Sequence, residues 1–259
     1  MVEEKTAEEY GRKPYLVFNR VSKSFGSNTV LDDVTFEVVR GETVCVMGRS
    51  GVGKSVCLEL LMGFLKPDSG SVIVAGQDIT NISEEQLEQI HKKVTMVFQS
   101  GALFDSLTVG ENVAFPLRER GVLDESQIIY KVNALLDRVG IRELRDFLPE
   151  EISTGLQRSV AIARALAEDP EAILYDEPTT MVDPLMVHGI GQLIACLKVE
   201  QKLTSVVVTH DTHLAEQLAD HVLFLNGGKI QCFGTVAEMK ASSDPFLREF
   251  LKDDQLTIP

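Results

Sequence analysis

GRSGVGKS, residues 48–55, is the stretch on which the reading of the whole chain turns. Gly48, Gly51, Gly53, Lys54 and Ser55 fit the spacing G-x-x-x-x-G-K-[ST]. That spacing has physical meaning only between a strand and a helix. Both flanks fit: Thr43 to Met47 is a short apolar run, and KSVCLELLMGFLKP repeats apolar residues at helical spacing until Pro67. In this setting the glycines let the backbone curl, and successive N–H groups point inward at the positive end of a helix, which makes a cradle for phosphate. Lys54 is placed to bridge β- and γ-phosphates and Ser55 to give its hydroxyl to Mg²⁺. Arg49, Ser50 and Val52 lie between the motif positions and Val56 follows them, so 48–56 is the predicted nucleotide-binding segment.

A second element belongs with the first. In AILYDEP an apolar strand delivers Asp176 and Glu177 to its carboxyl end. Asp176 there suits the Mg²⁺-linked acid of the same site, held through water. Glu177 would lie beside the γ-phosphate, where a carboxylate polarises the attacking water, a role worth roughly 10² to 10⁴ in rate. Alone, Asp-Glu after a strand reads as a solvated loop; the upstream loop gives it a purpose.

Around these two elements the pattern is mixed α/β. YLVFNRVSKSF and NTVLDDVTFEVV read as an antiparallel start with turn residues at Gly26, Asn28 and Gly41. SVIVAGQDI fits a strand pair and VTMVFQ a buried strand. Residues 101–150 are mostly helical and predict an inserted helical subdomain, about 101–158 with the Ala-rich helix start included. SVVVTHD repeats the strand-then-polar design, and HVLFLNGGKIQCFG predicts a hairpin turning at Asn226-Gly227-Gly228. The expected organisation is one domain over 15–240, a polar tail over 1–14 and a C-terminal extension over 241–259. In that extension Phe246, Phe250 and Leu251 form a short apolar face, read as packing on its own domain, with a dimer or partner contact as the alternative.

Bulk properties exclude several classes. The chain has 259 residues and a formal charge of 25 − 39 = −14, which opposes general binding to nucleic acid or an anionic lipid surface. No apolar run reaches the ~20 residues that span a bilayer, and the acidic N-terminus lacks a secretion-signal core. Cys45, Cys57, Cys196 and Cys232 form no CxxC pair and read as free thiols in a reducing compartment. His210 and His213 would be a metal pair at helical spacing, but no third ligand follows from the sequence.

Further segments fall in a fixed order: Gln99 after VTMVF, ISTGLQRSVAIARAL upstream of the AILY strand, Asp183 in TTMVDP, and His210 after SVVV. In that order the chain resembles the nucleotide-binding domain of an ATP-binding cassette (ABC) protein over about residues 15–235. The resemblance implies a P-loop NTPase of ABC type: a mixed core sheet, an antiparallel β subdomain and an inserted helical one. It implies ATP and Mg²⁺ as ligands and a homodimer with two shared sites. Phe25 matches the aromatic that stacks on adenine. Gln99 matches the glutamine that meets Mg²⁺ and the attacking water, and His210 the switch histidine at the γ-phosphate. Asp183 matches the acid that communicates across the dimer. Ser153 and Gly155 match the signature that caps the partner's γ-phosphate.

The signature departs from Leu-Ser-Gly-Gly-Gln, reading Ile152-Ser153-Thr154-Gly155-Leu156. Thr154 replaces a glycine; if the position needs φ > 0 it is strained and hydrolysis is slowed. Alternatively Ser153 or Thr154 caps the following helix, and Thr154 with Gln157 fits the capping-box pattern. FQSGALFDSLTVGENVAFPLRE is very similar to the ATPases of Mla/Mce-type lipid transporters, where an apolar residue also follows the second signature glycine. That similarity implies phospholipid cargo, an integral membrane permease docked near Gln99 and residues 100–120, an MCE-domain lipid-binding protein and a small cytoplasmic regulatory subunit. It also implies a place at the cytoplasmic face of the inner membrane, and no nucleic acid partner. The alternatives are a slow ATP-dependent regulatory module of a membrane complex, a cassette for another cargo, and a soluble DNA-repair or translation cassette. Long coiled-coil insertions, zinc cysteines or a second fused cassette would favour the last, and none is seen.

Overall fold

A computed structural model describes residues 13–255 of the chain. The expected N-terminal tail therefore lies outside the described residues up to residue 12, and Pro14 already opens the first strand. Strands β1 (Pro14–Phe25), β2 (Asn28–Val39), β4 (Ser69–Val74) and β5 (Gln77–Asp78) form a four-stranded antiparallel sheet in the order β2-β1-β4-β5. A second sheet holds β3 (Thr43–Met47), β6 (Val94–Val97), β7 (Ala172–Asp176), β8 (Thr204–Val208), β9 (His221–Asn226) and β10 (Lys229–Gly234). Its order is β10-β9-β3-β8-β7-β6; all neighbours run parallel except the β9–β10 hairpin.

Alternation along β3 explains why the sheet is covered on both faces. Val44 and Val46 join one apolar core, with Leu58, Leu61, Leu174 and Val206; Cys45 and Met47 join the other, with Ile173, Tyr175 and Val207. Successive strand side chains point to opposite faces, so a five-residue run buried throughout needs layers on both sides. The first layer is α1 (Lys54–Leu61) together with the antiparallel sheet, where Phe18 and Phe36 stack at 4.7 Å. The second comprises α5 (Thr154–Leu166), α6 (Pro184–Gln201) and α7 (Thr212–Leu218). Each large side chain taken out of water in these cores contributes roughly 1.5–3 kcal/mol.

Helix α1 stops at Leu61 rather than running to Pro67, because Gly63 takes φ +69 and turns the chain. Strand β6 is shorter than expected and is an edge strand, with Thr95 and Met96 half-buried. Several helices went unseen in the sequence, among them α2 (Glu84–His91), α6 and α7. Helices α3 (Val109–Arg120) and α4 (Glu125–Arg138) pack on α5, with single helical turns at Arg142–Leu144 and Pro149–Glu151. At the C-terminal end come α8 (Val236–Ala241) and α9 (Pro245–Gln255). Leu247 and Phe250 of α9 are buried in the main core, Phe250 against the Phe224 ring at 5.1 Å, while Phe246 is exposed. The described part of the extension thus packs on its own domain.

Candidate nucleotide site

The carboxyl ends of parallel strands form the crevice where α/β sheets hold ligands. Here those ends carry Gly48 after β3, Glu177 after β7, Thr209 and His210 after β8, and Phe98 and Gln99 after β6. Gly48 has φ +148, and a Cβ on it would lie 2.4 Å from the Leu225 carbonyl oxygen. Gly53 has φ +104, and a Cβ there would meet Val30 at 2.8 Å and Leu31 at 3.0 Å. No other residue fits either position, which is why the loop demands glycine there. The contact at Gly53 also brings the β1–β2 hairpin against the loop. Phe25 ends β1 on that hairpin, half exposed, with the Lys23 ammonium over its ring at 5.6 Å.

Lys54 is buried, and its ammonium donates to the carbonyls of Gly48 at 2.9 Å and Arg49 at 3.2 Å. It also faces Glu177 Oε1 at 3.5 Å. The other Glu177 oxygen accepts from Thr180 Oγ1 at 3.0 Å and meets His210 Nδ1 at 2.8 Å. Glu177 itself has φ +46, a left-handed backbone that costs a non-glycine residue free energy and aims the side chain at Lys54 and His210. Burial pushes the Glu177 pKa up, but the hydrogen bond and charge of His210, with Lys54 and Thr180, outweigh it, and the carboxyl is held below its ordinary value. The hydrogen bond to Glu177 in turn raises the His210 pKa against the opposing effect of burial.

Ser55 Oγ donates to Asp176 Oδ1 at 3.0 Å. Asp176 is raised above the usual carboxylate range, first by burial, with the Ser55 hydrogen bond working against the shift. A half-buried carboxylate beside a hydroxyl is an all-oxygen donor pair of the kind Mg²⁺ takes, and a dication there would supply the charge that burial calls for. Gln99 is exposed in the turn just beyond β6, the edge strand beside β7, and makes no hydrogen bond among the described residues. Ser50 and Gly51 are exposed, Val52 and Val56 pack partly against the core, and Arg49 pairs with Glu249 of α9 at 3.1 Å.

Ser153 and Gly155 stand apart from this cluster, at the start of α5. Ser153 is its N-cap and accepts from Leu156 N, so Thr154 is the first helical residue. Thr154 has a negative φ, and the strain argued from its β-branch does not arise. The alternative capping box is not formed either, because Gln157 Nε2 donates to the carbonyls of Pro149 and Ile152. Gly155 abuts α6: a Cβ would lie 2.7 Å from Met186 Cβ. Asp183 caps α6, accepting from Leu185 N at 2.9 Å.

Sequence reasoning missed Thr180, which steadies Glu177, and Asn112, which is 0% exposed and ties the loop after Gln99 to α3. A signal for Asn112 was available: an amide inside an apolar helical stripe, four residues after Thr108, the N-cap of the Thr108–Glu111 capping box.

A phosphate loop whose lysine faces a strand-end glutamate, with a second carboxylate on the loop serine, defines a nucleoside-triphosphatase of the P-loop class. Residues 31–180 match the family model described as ABC transporter. The phospholipid transport ATP-binding protein MlaF of Haemophilus influenzae is 38% identical over 229 residues, 88% of this chain and 87% of that protein. The probable ribonucleotide transport ATP-binding protein mkl of Mycobacterium tuberculosis is 38% identical over 233 residues, but this chain spans only 65% of it. Among solved structures, the dimeric cassette MJ0796 superposes with TM-score 0.80 at 30% identity, covering 85% of this chain and 98% of that one. CbiO1 of Clostridium perfringens gives TM-score 0.82 at 27% identity, covering 95% and 97%. The chain belongs to the ABC transporter family, and it is an ATPase.

Proposed function

We propose that this ATPase dimerises on ATP and powers a phospholipid transporter of the Mla/Mce type at the cytoplasmic face of the inner membrane. The observation that carries the cargo is the 38% identity to MlaF over 229 residues, at nearly matching length. The mkl relatives, named for ribonucleotide transport, have the same identity but extend well beyond this chain, which makes them the weaker guide. A permease, an MCE-domain lipid-binding protein and a small cytoplasmic regulatory subunit complete the proposed assembly, with the permease seated near Gln99 and residues 100–120. The proposed layout is one ABC domain over 15–240 with a helical subdomain at about 101–158.

In the proposed cycle the backbone from Gly48 to Val56 wraps the phosphates and Phe25 stacks on the adenine. Lys54 exchanges its contacts with the Gly48 and Arg49 carbonyls for phosphate oxygens. Ser55, Gln99 and, through water, Asp176 would hold Mg²⁺, which supplies charge neutralisation on the phosphates. Glu177, its carboxyl held below its ordinary pKa and fixed by Thr180, orients the attacking water by accepting a hydrogen bond from it. His210 moves its Nδ1 hydrogen bond from Glu177 to the γ-phosphate side. The second copy brings Ser153, Gly155 and Asp183 to the same nucleotide. The contact between Glu177 and His210 favours this reading over a slow regulatory module, which has no use for a poised water-orienting carboxylate.

The test is purification of the tagged chain from mildly solubilised native membranes, with mass spectrometry of its companions. A permease, an MCE-domain protein and bound phospholipid are expected. A permease of another kind without lipid would overturn the cargo, and the absence of any membrane protein would overturn the transport reading.

A further inference from the structure

Arg158 sits on α5, 4% exposed, and its Nε and Nη1 atoms are buried with no hydrogen-bond partner among the described residues. No described carboxylate pairs with it. A desolvated guanidinium without a counter-charge is costly, and a neutral chain of the same length would fill the space more favourably. Folding of this chain alone therefore gives no account of an arginine here.

Its surroundings point to what does. The turn after Gln99 lies over the guanidinium: a Cβ built on Gly101 would be 3.1 Å from Arg158 Nη1. The carbonyls that could have served Arg158 are taken by Arg164, which donates to Gly101 O at 2.9 Å and Ala102 O at 2.7 Å. The turn is strained, with Gly101 at φ +78 and Ala102, a residue with a Cβ, at φ +46. Beside it stand the exposed rings of Phe98, Phe104 and Phe115, the last two with centroids 4.7 Å apart, and Arg164 lies over Phe104 at 5.9 Å. The picture is an aromatic rim around a buried, unmatched cation, under a turn that gains by moving.

We propose that Arg158 is the counter-charge for an acidic side chain carried on an apolar cytoplasmic segment of the membrane-embedded partner, which docks on Phe104 and Phe115 and displaces the Gly101–Ala102 turn. This rests on the transport reading above and names the chemistry of its partner. A carboxylate matches the planar fork of an arginine with paired hydrogen bonds. An anionic lipid surface is the poorer fit, because it calls for clusters of basic side chains on a chain whose net charge is −14. Docking of this kind reaches the nucleotide site directly, since Gly101 follows Gln99 by two residues.

The test compares the tagged wild-type chain with R158M and R158K, reading the amount of membrane partner retained from solubilised native membranes and the melting temperature of each isolated chain. Breaking a buried charge pair by removing one member weakens binding by roughly 30-fold or more. R158M is expected to lose its partner to that extent while its melting temperature stays level or rises, and R158K to retain an intermediate amount. Full retention by R158M would overturn the proposal and leave the transport reading standing. A large fall in the melting temperature of R158M, with partner loss that follows it, would assign Arg158 an internal structural role instead. If the wild-type chain itself retained no membrane protein, the transport reading would fail and the proposal with it.

Discussion

Replacing Asn112 by alanine should loosen the loop that follows Gln99 by an amount that can be worked from its contacts. Asn112 Oδ1 accepts from Phe104 N at 2.8 Å. Its Nδ2 faces the carbonyls of Phe104, Leu107 and Thr108 at 3.1, 3.0 and 3.1 Å. An amide nitrogen has only two protons, so two or three bonds are lost in N112A rather than four. Each contributes about 0.5–1.5 kcal/mol net, and a small cavity adds to the loss. Partial exposure of the loop lets water recover some of it, leaving about 3 kcal/mol, or about 6–12 °C of melting temperature in a domain of this size. N112D is the sharper probe. It keeps the acceptor for Phe104 N but turns a carboxylate oxygen on three carbonyls, so it should destabilise at least as much as N112A at neutral pH. It should recover in part as the pH falls and the acid regains a proton to donate. Urea unfolding measures the loss, and hydrogen exchange should localise it to 104–108. An N112A within about 1 kcal/mol of wild type, or an N112D as stable as wild type at pH 7, would refute the reasoning.

E177Q should bind ATP and accumulate as an ATP-bound dimer in gel filtration while turnover falls by roughly 10² or more; a variant that still hydrolyses at the wild-type rate would remove Glu177 from the chemistry. For the His210–Glu177 pair the signs are fixed by the shifts. The raised His210 contributes stability that is present below pH ~6.5 and is lost as pH rises through its folded value. The lowered Glu177 contributes stability that is present above pH ~4.5 and is lost as pH falls through its folded value. Thermal melts of H210A between pH 5 and 9 should therefore lack the fall in stability that wild type shows on the alkaline side, and an unchanged profile would contradict the pairing. G155A places a methyl 2.7 Å from Met186, and should cost about 1–3 kcal/mol by overpacking before any nucleotide is involved. A double-mutant cycle with M186G, which removes the Met186 Cβ itself, should show the two losses coupled and so tie them to this contact.

The elements legible in the sequence were those whose signal is local. The five-residue strands β3, β7 and β8 announce themselves as apolar runs ending in polar residues, and the loop after β3 by its glycines and lysine. Helix α2 was not legible because only Ile90 of it is buried, so there is no apolar stripe to count. Helix α6 follows an Asp-Pro start but buries little of its apolar length, which blurs its period. The candidate site residues after the strands could be named for the same local reason, whereas the pairings among side chains far apart in the chain could not. Arg164 reaches Gly101 across 63 positions and Glu177 reaches His210 across 33, and no spacing rule encodes such pairs. Thr154 shows the converse: a substitution that reads as strain in the motif is an ordinary first residue of a helix once Ser153 is seen to cap it.

The central claim is that ATP turnover at Glu177 moves lipid through a membrane partner. Its most direct test is to place the co-purified complex in vesicles carrying labelled phospholipid and follow lipid transfer with ATP, without ATP, and with E177Q. Transfer that requires ATP and stops in E177Q is the predicted result. Lipid moving equally well without ATP, or with E177Q in place, would contradict the account.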